Sequence, residues 1–126
     1  MSESTMTVDK DGTKRWLQNG NLHRLDGPAA QWPDGKTKWY QNGKRHRLDG
    51  PAVEWTDGTK IWYQNGELHR IDGPAVEDPN GSAMWYIHGH FLGRDLKGFW
   101  ELWERLDETQ RQNVNLHMWL ARLQNV

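Results

Sequence analysis

From Asp34 to Thr56 the chain reads DGKTKWYQNGKRHRLDGPAVEWT, and this unit recurs at an unbroken period of 23 residues. Units begin at Asp11, Asp34, Asp57 and Asn80, which sets Trp16, Trp39, Trp62 and Trp85 in register, together with Gly20, Gly43, Gly66 and Gly89. Turn residues at fixed offsets inside a constant period mark a repeat architecture, in which each unit buries its surfaces against its neighbours. Within the unit, Asp34-Gly35 and Asn42-Gly43 sit between runs of β-formers. Both dipeptides suit type I′ turns, whose two central residues need positive φ. The unit therefore reads as a first strand, Lys36 to Gln41, a tight turn, and a longer second strand, Lys44 to Thr56. Pro51 cannot donate to a ladder, so Leu48-Asp49-Gly50-Pro51 reads as a bulge or a break.

Strand alternation assigns the faces. Trp16, Trp39, Trp62 and Trp85 fall on one face, and Leu17, Tyr40, Tyr63 and Tyr86 on the other. Around the tyrosine ladder the sequence drifts, because Arg15 and Lys38 of the first two units become Ile61 and Met84 in the last two. Charge drifts as well: residues 11–56 hold eight Lys/Arg against five Asp/Glu, whereas residues 57–95 hold three against six. The array thus has a basic half and an acidic half. Such a dipolar array can steer a charged partner or stack head to tail into an oligomer. An excess of +3 over two units is small beside what non-specific nucleic-acid binding needs, which argues against that class.

Beyond the array the period changes. Leu96, Phe99, Trp103 and Leu106, and then Leu116, Trp119, Leu120 and Leu123, recur at spacings that place each set on one face of a helix. Asp107, with Gln110 three positions on, forms a capping box. The segment reads as two helices or one bent helix covering the open edge of the last unit. The expected fold is mainly β, an open antiparallel meander of four hairpin repeats with a C-terminal α-helical cap. Residues 1–10 are expected as a disordered tail, 11–94 as the repeat array and 95–126 as the cap.

Hydrophobic residues make up only 35 % of the chain, and the apolar mass is concentrated in nine tryptophans. Each ring can bury about 150 to 250 Å², enough to hold a thin sheet together. Cysteine is absent, which removes disulfides and thiolate metal sites and suits a reducing cytoplasm. The opening MSESTMTVDK has neither the basic start nor the apolar run of a signal peptide, and no stretch is apolar enough for a spanning helix, so no membrane role is expected.

The chemistry-bearing residues are periodic too. The pairs His23-Arg24, His46-Arg47 and His69-Arg70 recur two strands apart, about 9.6 Å, too far for imidazoles to share a metal, and no metal site is expected. The structural expectation is that each arginine pairs with Asp26, Asp49 or Asp72 two residues on, and each histidine satisfies a backbone carbonyl. The alternative is a row of donors beside aromatic rings that binds an anionic ligand such as a nucleotide. Serine occurs only at 2, 4 and 82, there is no phosphate loop, and the carboxylates repeat with the unit, so neither an enzyme nor a cofactor is expected.

The string WYQNGKRHRLDGPAVEWTDG, Trp39 to Gly58, resembles the MORN repeat and more closely its MORN-like variants, which share the period, the NGxxH turn after a tryptophan strand and the closing DG turn. Arg24, Arg47 and Arg70 stand where that family usually has glycine. The resemblance implies a twisted antiparallel meander used for protein interaction, similar to small MORN-like proteins of bacteria and phages, some described as antitoxins. The expected function is a non-enzymatic binding protein that occupies and inhibits a protein partner. Its expected surface is Arg15, Lys38, Tyr40, Lys44, Arg45 and Tyr63, on the basic half. The alternatives are an anionic-ligand binder and a purely structural, self-assembling module.

Overall fold

The computed structural model describes residues 4–94 and Arg105, and the expected C-terminal helices lie outside the described residues. Fourteen strands follow in chain order: β1 (Thr5–Val8), β2 (Lys14–Gln18), β3 (Asn21–Leu22), β4 (Ala30–Gln31), β5 (Thr37–Lys38), β6 (Tyr40–Gln41), β7 (Lys44–Arg45), β8 (Val53–Glu54), β9 (Lys60–Ile61), β10 (Tyr63–Gln64), β11 (Glu67–Leu68), β12 (Val76–Glu77), β13 (Ala83–Ile87) and β14 (His90–Arg94). The protein is mainly β, and every strand pairing is antiparallel. The principal sheet runs β1-β2-β4-β5-β8-β9-β12-β13-β14, so neighbours in sequence are neighbours in space.

The second unit explains the others. Its two limbs pair as one hairpin: Gln41 faces Lys44 and Tyr40 faces Arg45 near the tip, while Lys38 faces Val53 and Thr37 faces Glu54 near the base. Between these pairs the second limb swells. The Trp39 N–H donates to the Ala52 carbonyl at 2.6 Å and the His46 N–H to the Trp39 carbonyl at 3.1 Å, so residues 46–52 all stand opposite one tryptophan. That excursion carries the Gly-Pro step, as its missing N–H donor requires. It also divides the expected six-residue first strand into β5 and β6 at Trp39.

The two turn signals fold differently. At the tip, Asn42 (φ 52°) and Gly43 (φ 78°) are both left-handed, as a type I′ turn demands. The expected type I′ turn at Asp34-Gly35 is corrected, because only Gly35 is left-handed (φ 100°). The Gly35 N–H donates to the Trp32 carbonyl at 3.0 Å and the Trp32 N–H to the Lys36 carbonyl at 3.0 Å, which makes a type I turn closed by a glycine bulge. Asp34 Oδ1 accepts the Lys36 N–H at 3.0 Å and holds that loop. In the equivalent loops, hydrogen bonds from the Thr13 and Thr59 N–H groups hold the carboxyls of Asp11 and Asp57 below the usual value.

Part of the segment expected as a disordered tail is also corrected. Thr5–Val8 forms β1 and pairs with β2 from Thr5↔Leu17 to Val8↔Lys14. Its alternating Thr-Met-Thr-Val favours an extended chain, and β2 would otherwise be an open edge. The core is thin and lies along the swellings: Ala29, Ala30, Ala52, Val53, Ala75, Val76 and Trp85 are buried. Small residues fill it because the chain packs there against its own strand.

Candidate binding surface

On the face of Trp39, each of the first three units builds the same clasp. The guanidinium of Arg47 lies 4.0 Å from the centre of the Trp39 ring, with Arg24 over Trp16 at 4.0 Å and Arg70 over Trp62 at 3.8 Å. Its opposite side rests on Gly50, where a Cβ would meet Arg47 Cζ at 2.8 Å. Any side chain there would have to push the guanidinium out of the clasp. Arg47 Nε donates to Asp49 Oδ1 at 2.9 Å and Nη1 to the Pro51 carbonyl at 3.1 Å, and the same two bonds recur at Arg24 and Arg70. The Arg47 hydrogen bond holds the Asp49 carboxyl below the usual carboxylate value.

A third partner grades along the array. Arg70 Nη1 reaches Glu77 at 2.8 Å and Arg47 Nη1 lies 3.6 Å from Glu54, whereas Arg24 has Gln31 at the equivalent position. The expected arginine-aspartate pairs are thus present in all three clasps.

The histidines act otherwise than expected. Each Nδ1 accepts a backbone N–H from the tip of the following unit: His23 from Asn42 at 3.0 Å, His46 from Asn65 at 3.1 Å and His69 from His88 at 2.9 Å. The correction follows from geometry, since the next tip stacks directly over the imidazole. An imidazole that accepts at Nδ1 must be neutral. At His69 burial and the neighbouring His88, whose ring stacks at 4.2 Å, both push the pKa below the ordinary 6.5. All six residues of the His-Arg row are therefore engaged within the array. Among the described residues, no three of His, Asp or Glu gather closely enough to hold a metal ion. No helix among them is long and apolar enough to cross a membrane.

The opposite face, that of Tyr40, carries a cluster found in one place. Register aligns Arg15, Ala30, Lys38, Val53, Ile61, Val76 and Met84 in one cross-strand row. Beside it, Lys36 Nζ lies 4.3 Å from the Trp32 ring and 4.9 Å from Trp55, and Lys38 Nζ lies 5.4 and 5.5 Å from the same two rings. Arg45 donates from Nε to the Tyr40 hydroxyl at 3.4 Å and from Nη1 to the Tyr63 hydroxyl at 3.3 Å. Burial pulls the Lys38 ammonium below its ordinary pKa, whereas the Tyr40 hydrogen bond holds the Arg45 guanidinium above its own.

Four of the expected surface residues, Lys38, Tyr40, Arg45 and Tyr63, are brought together here. Arg15 shares the row but is ion-paired with Asp9, and Lys44 pairs with Gln41, whose alternation puts it on the opposite face. Trp32, Trp55 and Lys36 belong to the cluster and are absent from the expected set. The spacing of the two tryptophans by one period was the available signal. Comparison with protein-family models, with curated proteins and with solved structures finds no match.

Proposed function

We propose that this chain is a non-enzymatic binding protein, built as a MORN-like array of four hairpin units with a C-terminal helical cap, that occupies and inhibits a partner protein in the manner of an antitoxin or immunity factor. The observation that carries this reading is the contrast in how cations are used. Of the cations that stand against aromatic rings, Arg24, Arg47 and Arg70 have carboxylate partners, whereas Lys36, Lys38 and Arg45 have none within 4.0 Å among the described residues. Trp32, Trp55, Tyr40, Tyr63 and Arg45 are of the residue types enriched in interface hot spots, and Lys36 and Lys38 add charge with no internal counter-charge.

What weighs against an anionic ligand on the His-Arg row is that its guanidinium groups are stacked and hydrogen-bonded and its imidazoles are acceptors. The test is recovery of a partner from the native host, followed by reconstitution. A stoichiometric complex on a sizing column, in which the partner's activity falls, is the expected result. A chain that forms only concentration-dependent oligomers would make the array a self-assembling module instead.

A further inference from the structure

In a repeat protein, residues shared by every unit serve the fold, so departures that converge on one spot single out that spot. Position 45 is Arg where the others have Leu22, Leu68 and Phe91, and position 36 is Lys where the others have Thr13, Thr59 and Ser82, while position 38 is Lys, a cation shared with Arg15 of the first unit, where the next two units have Ile61 and Met84. Trp32 and Trp55 likewise replace Asp9 and Asp78 at the ends of the array. These departures all meet on the face of Tyr40, where register brings Trp32, Lys36 and Trp55 side by side and Lys38 next to them. Two of the three cations, Lys36 and Arg45, thus stand where every other unit has a hydroxyl or apolar side chain, and they gather around Lys38.

Resting on the binding-protein reading above, we infer that this patch seats an acidic, extended segment of the partner protein, with carboxylates on Lys36, Lys38 and Arg45 and an aliphatic side chain beyond them. Three observations support the assignment. Lys36 and Lys38 are held over indole rings, so they lose little further freedom on meeting an anion. Burial disfavours the charge of Lys38, a cost that an incoming carboxylate removes. Past Lys38 the row crosses the buried Val53 to Ile61 and, beyond the buried Val76, to Met84, two half-buried apolar positions of which the nearer is two strands or about 10 Å away. A chain of evenly spaced phosphates would find nothing to pair with at those positions, whereas a peptide can place an uncharged side chain there. An extended peptide covers the same distance in about three residues, which sets its pattern: acidic residues, then an aliphatic one. Trp55, 42 % exposed, leaves the patch open to solvent.

The test titrates the full chain, followed by the NMR signals of its indole N–H groups, with a short synthetic peptide carrying two adjacent glutamates and a leucine three residues on. A lysine-for-glutamate version and a single-stranded oligonucleotide serve as competitors. The comparison variant is Lys38→Ile with Arg45→Leu, which installs the residues found at Ile61 and Leu68 and so leaves the fold intact. Expected are saturable shifts at the Trp32 and Trp55 indoles, loss of roughly tenfold or more in affinity in the double variant, and weakening by salt. No saturation with the wild type, or equal binding by the variant, overturns the assignment. Stronger competition by the oligonucleotide at the same indoles replaces the acidic segment with a phosphate ligand. A partner that still binds the double variant leaves the binding-protein reading standing while this patch fails. A peptide that binds here without any inhibition of the partner does the reverse.

Discussion

Arg45 and Arg47 stand two residues apart on one limb of one hairpin, each beside an aromatic ring, yet they have opposite fates. Arg47 lies 4.0 Å from the Trp39 ring centre, with Asp49 and the Pro51 carbonyl accepting its hydrogen bonds and Glu54 ion-paired with it at 3.6 Å. Arg45 lies 5.2 Å from the Tyr63 ring centre and its partners are two phenol hydroxyls. The first arrangement recurs in every clasp, and the second occurs once. An arginine with its charge answered inside the fold contributes to stability, while one left without a carboxylate is available to a partner. Periodicity separates the two more sharply than exposure does, since both are half-buried.

The largest expected effect breaks the clasp at its ring. Trp39→Ala should cost about 3 kcal/mol, the low end for a buried tryptophan because Trp39 is only half-buried, and calorimetry would read it as a fall in melting temperature. Next comes the direct contrast between the arginines. Arg47→Ala should cost roughly 1 to 3 kcal/mol by leaving the Pro51 carbonyl and its carboxylates unanswered, whereas Arg45→Leu should leave the melting temperature unchanged or raised. Equal destabilisation by both would erase the distinction between them.

The parts of this molecule that were legible in advance are those set within a single unit. The type I′ tip at Asn42-Gly43, the opposed tryptophan and tyrosine faces, and the arginine-aspartate pairs two residues apart all depend on short sequence distances. What escaped depends on the neighbouring unit. His46 accepts from Asn65, and which atom of the next tip meets an imidazole is fixed by inter-unit register. The Asp34-Gly35 loop turned on loop length, which follows from the Trp32-Lys36 pairing and is invisible in the dipeptide. β1 escaped because four residues carry no period. The cluster at Trp32 and Trp55 escaped because both rings lie on second limbs, and only pairing with the strand of Lys36 and Lys38 brings them together.

The histidine rail gives a pH dependence with a definite sign. His69 has a folded pKa below the ordinary 6.5, so its contribution is whole above that value and drains away as pH falls from there through the lower folded value. Protonation removes the Nδ1 acceptor and orphans the His88 N–H. Melting temperature should therefore drop as pH falls below about 6.5, and His69→Ala should flatten part of that drop while costing about 1 kcal/mol at neutral pH. A melting temperature level across this range would remove His69 from the set of groups that couple the units.

The smallest effect tests whether the clasps differ only in their third partner. Arg70 meets Glu77 at 2.8 Å, Arg47 stands 3.6 Å from Glu54, and Arg24 has Gln31 in place of a carboxylate. These carboxylates are partly exposed, so each pair is worth only a few tenths of a kcal/mol, and salt reduces it. Gln31→Glu should then raise stability by a few tenths of a kcal/mol at low ionic strength, with the gain fading in salt. Glu77→Gln should lose about as much, and Glu54→Gln less, in the order of the two distances. Denaturant midpoints measured at two salt concentrations resolve this series. A Gln31→Glu variant that gains nothing at low salt would mean that the Trp16 ring, Asp26 and the Pro28 carbonyl already hold Arg24 as firmly as a carboxylate could.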